Sequence, residues 1–265
     1  MIPLYDANPT RRRPVVTIAL ILVNVVVFVA EITAPDQVLR TTSGRPVAVD
    51  GFSAVTAEYG YVPCEATDQC RLGEDVVDFG PGVPPIEVPS HPVWLTVLAS
   101  MFMHGGWLHL GGNMLFLWVF GNNIEDRLGR LRYLMFYLLG GVAADALQTA
   151  FDTSSAIPNI GASGAIAAVL GGYALLYPTA AVVTLIGWIP VPLPAFVVLG
   201  FWFVMQLISA GAGLGQVGDT QGGGVAFFAH VGGFLFGWIV ARALTGTGRI
   251  AAQQVPSGSR AEPAV

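Results

Sequence analysis

Charged residues are scarce in this sequence, and lysine does not occur at all. Only 11% of the 265 residues are charged, whereas roughly 25% are charged in an average soluble domain. The twelve basic residues are all arginines and the net charge is −5, so we expect no nucleic-acid partner. Hydrophobic residues make up 54% of the chain. Such a composition cannot cover a folded surface with polar groups and therefore indicates a membrane protein.

Six long apolar runs predict six membrane-spanning helices, because about 20 apolar residues cross a bilayer as a helix. We predict an all-α, polytopic membrane protein with a six-helix bundle, preceded by a tail at 1–14. The membrane domain spans 15–250 and a disordered tail follows at 251–265. The first run is too long for a secretory signal and lacks a cleavage site, so we expect it to be retained. The runs lie at 15–32, 107–121, 131–151, 162–177, 193–211 and 226–244.

Arginine placement predicts the orientation, because arginines near the ends of spans stay on the cytoplasmic side. With six helices, three arginine groups fall on one side of the bilayer, and both termini are predicted to be cytoplasmic. These groups are Arg11 to Arg13; Arg127, Arg130 and Arg132; and Arg242 and Arg249.

The segment between the first two runs, residues 34–97, is then expected outside the cytoplasm. It carries nine acidic residues against three arginines, and its proline and glycine content favours irregular structure over a second domain. Cys64 and Cys70 both lie in this loop. An oxidising compartment favours a disulfide between them, although two free thiols are the alternative. Two cysteines are too few for a structural zinc site.

Polar residues inside membrane spans are costly and usually functional. Ser163 begins the fourth run, where serine alone would most simply cap a helix. His230 in the sixth run is followed by Gly233 and Gly237 on one helix face, and the fourth run is also rich in small residues. Two such faces allow helices to approach closely. Ser163 and His230 could then form a nucleophile and base pair for acyl transfer, without a neighbouring acid.

His109 and Asn113 are four residues apart in the second run and so lie on one helix face. Together with the backbone N–H of Ser163, they are candidate donors for an oxyanion. The alternative is a polar clasp between helices, which would contribute about 1–2 kcal/mol. Their spacing favours neither interpretation.

Three blocks of sequence stand out: SMFMHGGWLHLGGNMLFLWVFGNNIEDRLG at 100–129, GASGAI at 161–166 and AHVGGFLFG at 229–237. In this order they resemble the signatures of rhomboid intramembrane serine proteases of the bacterial type. The resemblance implies peptide-bond hydrolysis in or near membrane spans of single-span substrates, in the plasma membrane, with no cofactor or metal. The long acidic loop departs from the family pattern, which leaves its membrane embedding open.

The resemblance also implies roles for individual residues. Ser163 would be the nucleophile and His230 the base, with His109 and Asn113 at the oxyanion. Residues in supporting positions would be His104, Gly161, Gly164 and Gly233; Glu125 and Arg127 would tie the inner end of the second span to its neighbours; and Trp202 and Gln206 would face a lateral substrate opening.

Three other functions are alternatives to a serine protease. A rhomboid-like protein that binds membrane clients without cutting them would lack the serine or the histidine, and this chain keeps both. A transporter or channel would need charged residues at mid-membrane depth, where only Asp145 is available. A metalloprotease would need a signature such as H-E-x-x-H, and the four residues between His104 and His109 are Gly-Gly-Trp-Leu.

Overall fold

The computed structural model describes residues 1–70, 76–78, 84–89, 91–214 and 227–247, although not the side chains of 210–214. The predicted tail at 251–265 lies outside these residues. The described chain is mostly helical. Its helices are α1 (Val15–Ile32), α2 (Gly51–Tyr59), α3 (Val93–Ser100), α4 (Trp107–Leu128), α5 (Arg130–Phe151), α6 (Ser163–Leu176), α7 (Ala195–Leu214) and α8 (Phe227–Gly246). Its strands are β1 (Ile2–Asp6), β2 (Gln37–Thr41), β3 (Pro46–Val49), β4 (Val76–Val77), β5 (Ile86–Glu87), β6 (Ala181–Ile186) and β7 (Ile189–Pro194).

Helices α1 and α4 to α8 coincide with the six predicted spans to within a few residues, except that α4 extends to Leu128. Helices α1, α5 and α8 are long and apolar enough to cross a membrane, whereas α6 and the apolar part of α7 are shorter. Polar side chains such as His109 and Asn113 lower the hydropathy of α4. That all six helices cross the bilayer stays a prediction.

Helix α6 lies at the centre of the main core. All its residues from Gly164 to Tyr173 are buried, and α5 and α8 pack against it. A Cβ atom on Gly233 of α8 would clash with the Gly164 carbonyl oxygen, and one on Gly237 would clash with that of Ala168. The close approach of the fourth and sixth runs, predicted from their small residues, is therefore confirmed.

The all-α prediction is wrong for the segment between α1 and α4. Its described residues form a four-stranded antiparallel sheet in the order β3-β2-β5-β4. The sheet and α2 enclose a separate small core that includes Val49, Ala57, Val62 and Ile86. The short turn between β2 and β3 contains Gly44 at a φ of 75°, a conformation that suits glycine in a hairpin. We call the described residues of 34–89 the outer subdomain, after the side of the bilayer that the arginine placement predicts for it. The prediction of irregular structure is wrong for these residues.

A second sheet, with the order β1-β6-β7, lies near the C-terminal end of α6. Residues 2–6 of the predicted tail form β1, which pairs with β6. The predicted fifth span began at 193, but β7 continues to Pro194 and α7 begins at Ala195. Pro190, Pro192 and Pro194 lack an N–H group, which a helix interior requires and an edge strand such as β7 does not.

Candidate active site

Ser163 and His230 lie within hydrogen-bond distance. Ser163 is the first residue of α6 and His230 lies in the first turn of α8. The Nε2 atom of His230 is 2.8 Å from the Ser163 hydroxyl oxygen. The pairing depends on the glycine contacts between α6 and α8, because a larger residue at position 233 would push the two helices apart.

Gln206 of α7 binds the other side of the histidine. Its side-chain oxygen is 2.7 Å from His230 Nδ1. Since an amide oxygen only accepts, this contact places the ring proton on Nδ1 and leaves the Nε2 lone pair facing Ser163. Trp202, one turn earlier on α7, has its ring centroid 5.9 Å from that of His230. The resemblance implied a place for Gln206 at a lateral substrate opening, but no sequence signal assigned it to the histidine.

His109 and Asn113 line the same cavity as Ser163 and His230, which has a volume of about 670 Å³. Asn113 is 8% exposed, and its Nδ2 atom is buried without a hydrogen-bond partner among the described residues. The Nδ1 atom of His109 accepts the Gly105 N–H at 3.2 Å. A neutral His109 therefore carries its proton on Nε2. Asn113 Nδ2 and His109 Nε2 are thus both N–H donors, and neither donates to another group among the described residues.

Gly161 keeps the space between these donors and the serine open. Its φ is 135°, which L-residues with a side chain rarely adopt. A Cβ atom there would lie 3.0 Å from His109 Nε2 and 3.5 Å from the Ser163 hydroxyl oxygen. The Gly161 N–H donates to the Ser100 carbonyl at 2.9 Å, which fixes the chain just before the serine.

His104 packs against His109, and Glu31 in turn binds the backbone of His104. The His104 ring is fully buried, and its centroid is 5.1 Å from that of His109 in an edge-to-face arrangement. The His104 N–H donates to the Glu31 carboxylate at 3.2 Å. The packing role implied for His104 fits this arrangement. No role was predicted for Glu31 from the sequence, although an acidic residue near the end of the first apolar run is a signal that could have indicated one.

Glu125 joins the inner end of α4 to α1. Its carboxylate accepts the backbone N–H groups of Val16 and Thr17 at 2.9 and 2.8 Å, and the Thr17 hydroxyl at 2.9 Å. A carboxylate is favourable at a helix N-terminus, where backbone N–H groups lack partners. The structure does not place Arg127 in this network: its Nε atom is buried without a partner in the described chain.

The outer subdomain is bonded to the segment that leads to Ser163. Tyr61 and Asn159 exchange two backbone hydrogen bonds of 3.1 and 2.7 Å. The Cys64 N–H donates to the Ser155 carbonyl at 3.0 Å, and Cys64 and Cys70 are paired as a disulfide. These hydrogen bonds from the outer subdomain therefore hold part of the loop that precedes Ser163.

The family model of the rhomboid domain matches residues 91–246, which is more than half of the chain. The chain belongs to the rhomboid family. With its long apolar helices, it is an integral membrane protein.

Three curated rhomboids illustrate the similarity. Rhomboid protein 1, mitochondrial, of Saccharomyces cerevisiae is 30% identical over 158 residues, which are 57% of this chain and 43% of that protein. Rhomboid-like protein 11, chloroplastic, of Arabidopsis thaliana is 28% identical over 57% of this chain and 52% of its own length. Rhomboid protease GluP of Bacillus subtilis is 39% identical over 32% of this chain and 16% of its own. The match covers about half of the relatives' length or less.

Proposed function

We propose that this rhomboid is an intramembrane serine endopeptidase that hydrolyses peptide bonds in or near the membrane spans of single-span proteins. The observation that carries the proposal is the 2.8 Å contact between Ser163 and His230 Nε2. The pair lies in a cavity that His109 and Asn113 also line, and Asn113 Nδ2 has no hydrogen-bond partner among the described residues. Serine is a weak nucleophile without an adjacent base. This pair supplies the base in the correct tautomer.

The reaction would proceed by acyl transfer. His230 Nε2 accepts the hydroxyl proton while the Ser163 oxygen attacks the scissile carbonyl carbon, and the carbonyl oxygen becomes an oxyanion. Donors on His109 and Asn113 stabilise this charge, and each such donor contributes about 10²–10³ in rate. His230 then gives its proton to the leaving amine as the C–N bond breaks. Water hydrolyses the acyl-enzyme by the reverse sequence of proton transfers.

The arginine placement puts Ser163 towards the outer side of the membrane. We therefore expect cuts near the outer end of a substrate span, at sites that unwind readily, because a helix keeps its carbonyl groups hydrogen-bonded and shielded. A substrate with glycine in the outer part of its span should be cut faster than one with a uniform leucine helix. Product ends mapped by mass spectrometry on a glycine-scanned substrate test this; cuts at the cytoplasmic end would contradict the orientation.

The decisive experiment measures cleavage of a single-span test substrate in liposomes. Wild type should cleave, whereas Ser163→Ala and His230→Ala should insert, keep their Tm and lose activity. Ser209→Ala, which alters a serine outside the cavity lining, is the matched control and should cleave normally. Retention of about a tenth of wild-type turnover by Ser163→Ala would contradict the dyad, since loss of a nucleophile usually costs orders of magnitude.

The same experiment separates proteolysis from two alternatives. A wild-type protein that crosslinks to the substrate without cutting it would support a client-binding function. Treatment with EDTA should leave cleavage unchanged, because neither base nor oxyanion donor in the proposed mechanism requires a metal. If EDTA abolishes cleavage and zinc restores it, the protein is a metalloprotease instead.

A further inference from the structure

A second cavity lies at the opposite end of α6 from Ser163. Tyr177, which follows α6, lines it together with Asn8, Arg11, Arg12, Asp126 and Arg127, and its volume is about 190 Å³. Fourteen residues of helical rise separate Tyr177 from Ser163, or roughly 20 Å. The cavity is therefore separate from the proposed catalytic site.

The lining of this cavity is strongly basic. Three guanidinium groups face one carboxylate, that of Asp126, which accepts the backbone N–H of Arg11 at 3.1 Å. Asp126 is the carboxylate of the lining, and no salt bridge within 4.0 Å is found between it and the three arginine side chains in the described parts of the chain. The three guanidinium groups therefore outnumber the one carboxylate in the lining, and the cavity keeps an excess of positive charge.

One donor in the lining is buried and lacks an acceptor. Arg127 Nε has no hydrogen-bond partner within the described residues. Buried donors in folded proteins are nearly always satisfied, and exceptions point to bound water or an ion. Water would supply acceptors but would not balance three guanidinium charges. An anion with several acceptor oxygens would do both.

The fold holds these groups in place. Residues 8–12 follow β1, whose Asp6 accepts the Tyr173 hydroxyl at 2.6 Å and the Asn123 amide at 2.7 Å. On the other side is the turn between α4 and α5 at Gly129, where a Cβ atom would lie 3.9 Å from Arg12 Nη1. The arginines therefore converge from two separate parts of the chain. Such convergence distinguishes the cavity from scattered surface arginines.

We propose that this cavity binds a phosphate group. Guanidinium groups match phosphate oxygens by paired hydrogen bonds. The cavity lies at the end of membrane-spanning helices, on the side that the arginines place in the cytoplasm, where basic pockets between helices bind phospholipid headgroups. An anionic phospholipid is the expected source of the phosphate, and free phosphate is the other source that the same chemistry accepts.

The test measures binding to the purified full chain in a neutral detergent. The probes are soluble dihexanoyl phosphatidylglycerol and inorganic phosphate, followed by calorimetry and by the shift in Tm. The variants are Arg12→Gln, whose exposed side chain should not affect folding, and the double variant Arg12→Gln/Arg127→Gln. The matched control is Arg130→Gln/Arg132→Gln, which removes two exposed charges from the same side of the protein outside the cavity.

Wild type and the Arg130/Arg132 control should bind the lipid equally. Arg12→Gln should bind it about tenfold more weakly and the double variant more weakly still, because each lost contact is a charge-assisted hydrogen bond. Tighter binding of inorganic phosphate than of the lipid, with the same dependence on Arg12, would support the site and identify a soluble source. Equal losses in the two double variants would show nonspecific attraction to surface charge and overturn the proposal, as would the absence of binding by both probes.

Discussion

The two walls of the cavity around Ser163 are built differently. On one side, α6 is buried along ten consecutive residues, and glycines bring it against α8. On the other side, α7 is buried in its first turn at Ala195, Val198 and Leu199, and farther along it exposes Phe201, Val204 and Ile208. The serine therefore lies on the tightly packed wall, whereas Gln206, which contacts the histidine, lies on the exposed one.

This difference separates two requirements of the proposed reaction. The attacking oxygen and its base must be held precisely, because small displacements reduce the rate strongly. A substrate span must also reach them from the bilayer, which the packed wall prevents. We propose that a substrate enters from the α7 side, the role that the resemblance to rhomboid proteases implies for Trp202 and Gln206. Substitutions on the two walls should therefore have different consequences.

The largest effect is expected on the packed wall. Gly237→Ala places a methyl group against the Ala168 carbonyl, where only backbone movement relieves the clash. Overpacking of this kind costs about 1–3 kcal/mol, and more where the backbone resists. Gly200→Ala on α7 is the matched control, because a Cβ atom there has no neighbour within 4 Å. It should stabilise the helix by about 0.5–1 kcal/mol.

Thermal unfolding in detergent measures both substitutions. A lower Tm for Gly237→Ala together with an unchanged or higher Tm for Gly200→Ala would confirm the contrast. Similar losses at both positions would mean that α7 packs as tightly as α6.

The next effect concerns the oxyanion donors. Asn113→Ala should lower kcat by roughly 10–10³ with a smaller effect on KM, because it removes a donor needed mainly in the transition state. Its Tm should change little, since Asn113 Nδ2 has no partner to lose in the described structure. His109→Ala should lower kcat similarly. A fall in Tm with normal kcat in the folded fraction would favour the polar clasp between helices.

Sequence patterns predicted the helices and the candidate site because both depend on local signals. Apolar runs located six helices, and the small residues after His230 indicated which two would approach. The pairing of β1 with β6 was missed because it is distant: Ile2 pairs with Leu185, and no local pattern specifies such a partner. The β2–β3 hairpin is local, but the proline and glycine content of residues 34–97 was interpreted as irregular structure. The contacts of Glu31 with His104 and of Gln206 with His230 could not be predicted, because they depend on how helices far apart in the sequence pack.

A moderate effect is expected on the exposed wall. Gln206→Leu removes the acceptor of His230 Nδ1 and should lower kcat by about tenfold, the equivalent of one hydrogen bond that orients the base. Gln206→Glu keeps an acceptor and should retain more activity. Met205→Leu, at the exposed neighbouring position, is the control. An unchanged kcat in Gln206→Leu would show that the packed wall alone orients the histidine.

The smallest effect on cleavage is expected from the disulfide in the outer subdomain. The bridge closes a loop with a sequence separation of 6, for which loop-closure entropy gives about 2 kcal/mol of stabilisation. Cys64→Ala/Cys70→Ala should therefore lower the stability of the outer subdomain. It should leave kcat nearly unchanged, because the backbone hydrogen bonds from Tyr61 and Cys64 to the segment before Ser163 do not involve the sulfur atoms.

Limited proteolysis measures the stability of the outer subdomain, and substrate cleavage measures kcat. Thiol labelling of intact cells without reductant reports whether the bridge forms. Ready labelling of both cysteines would refute the disulfide. If the double variant loses as much kcat as Asn113→Ala, the outer subdomain helps to hold Ser163 in position, as the packing of α6 against α8 does.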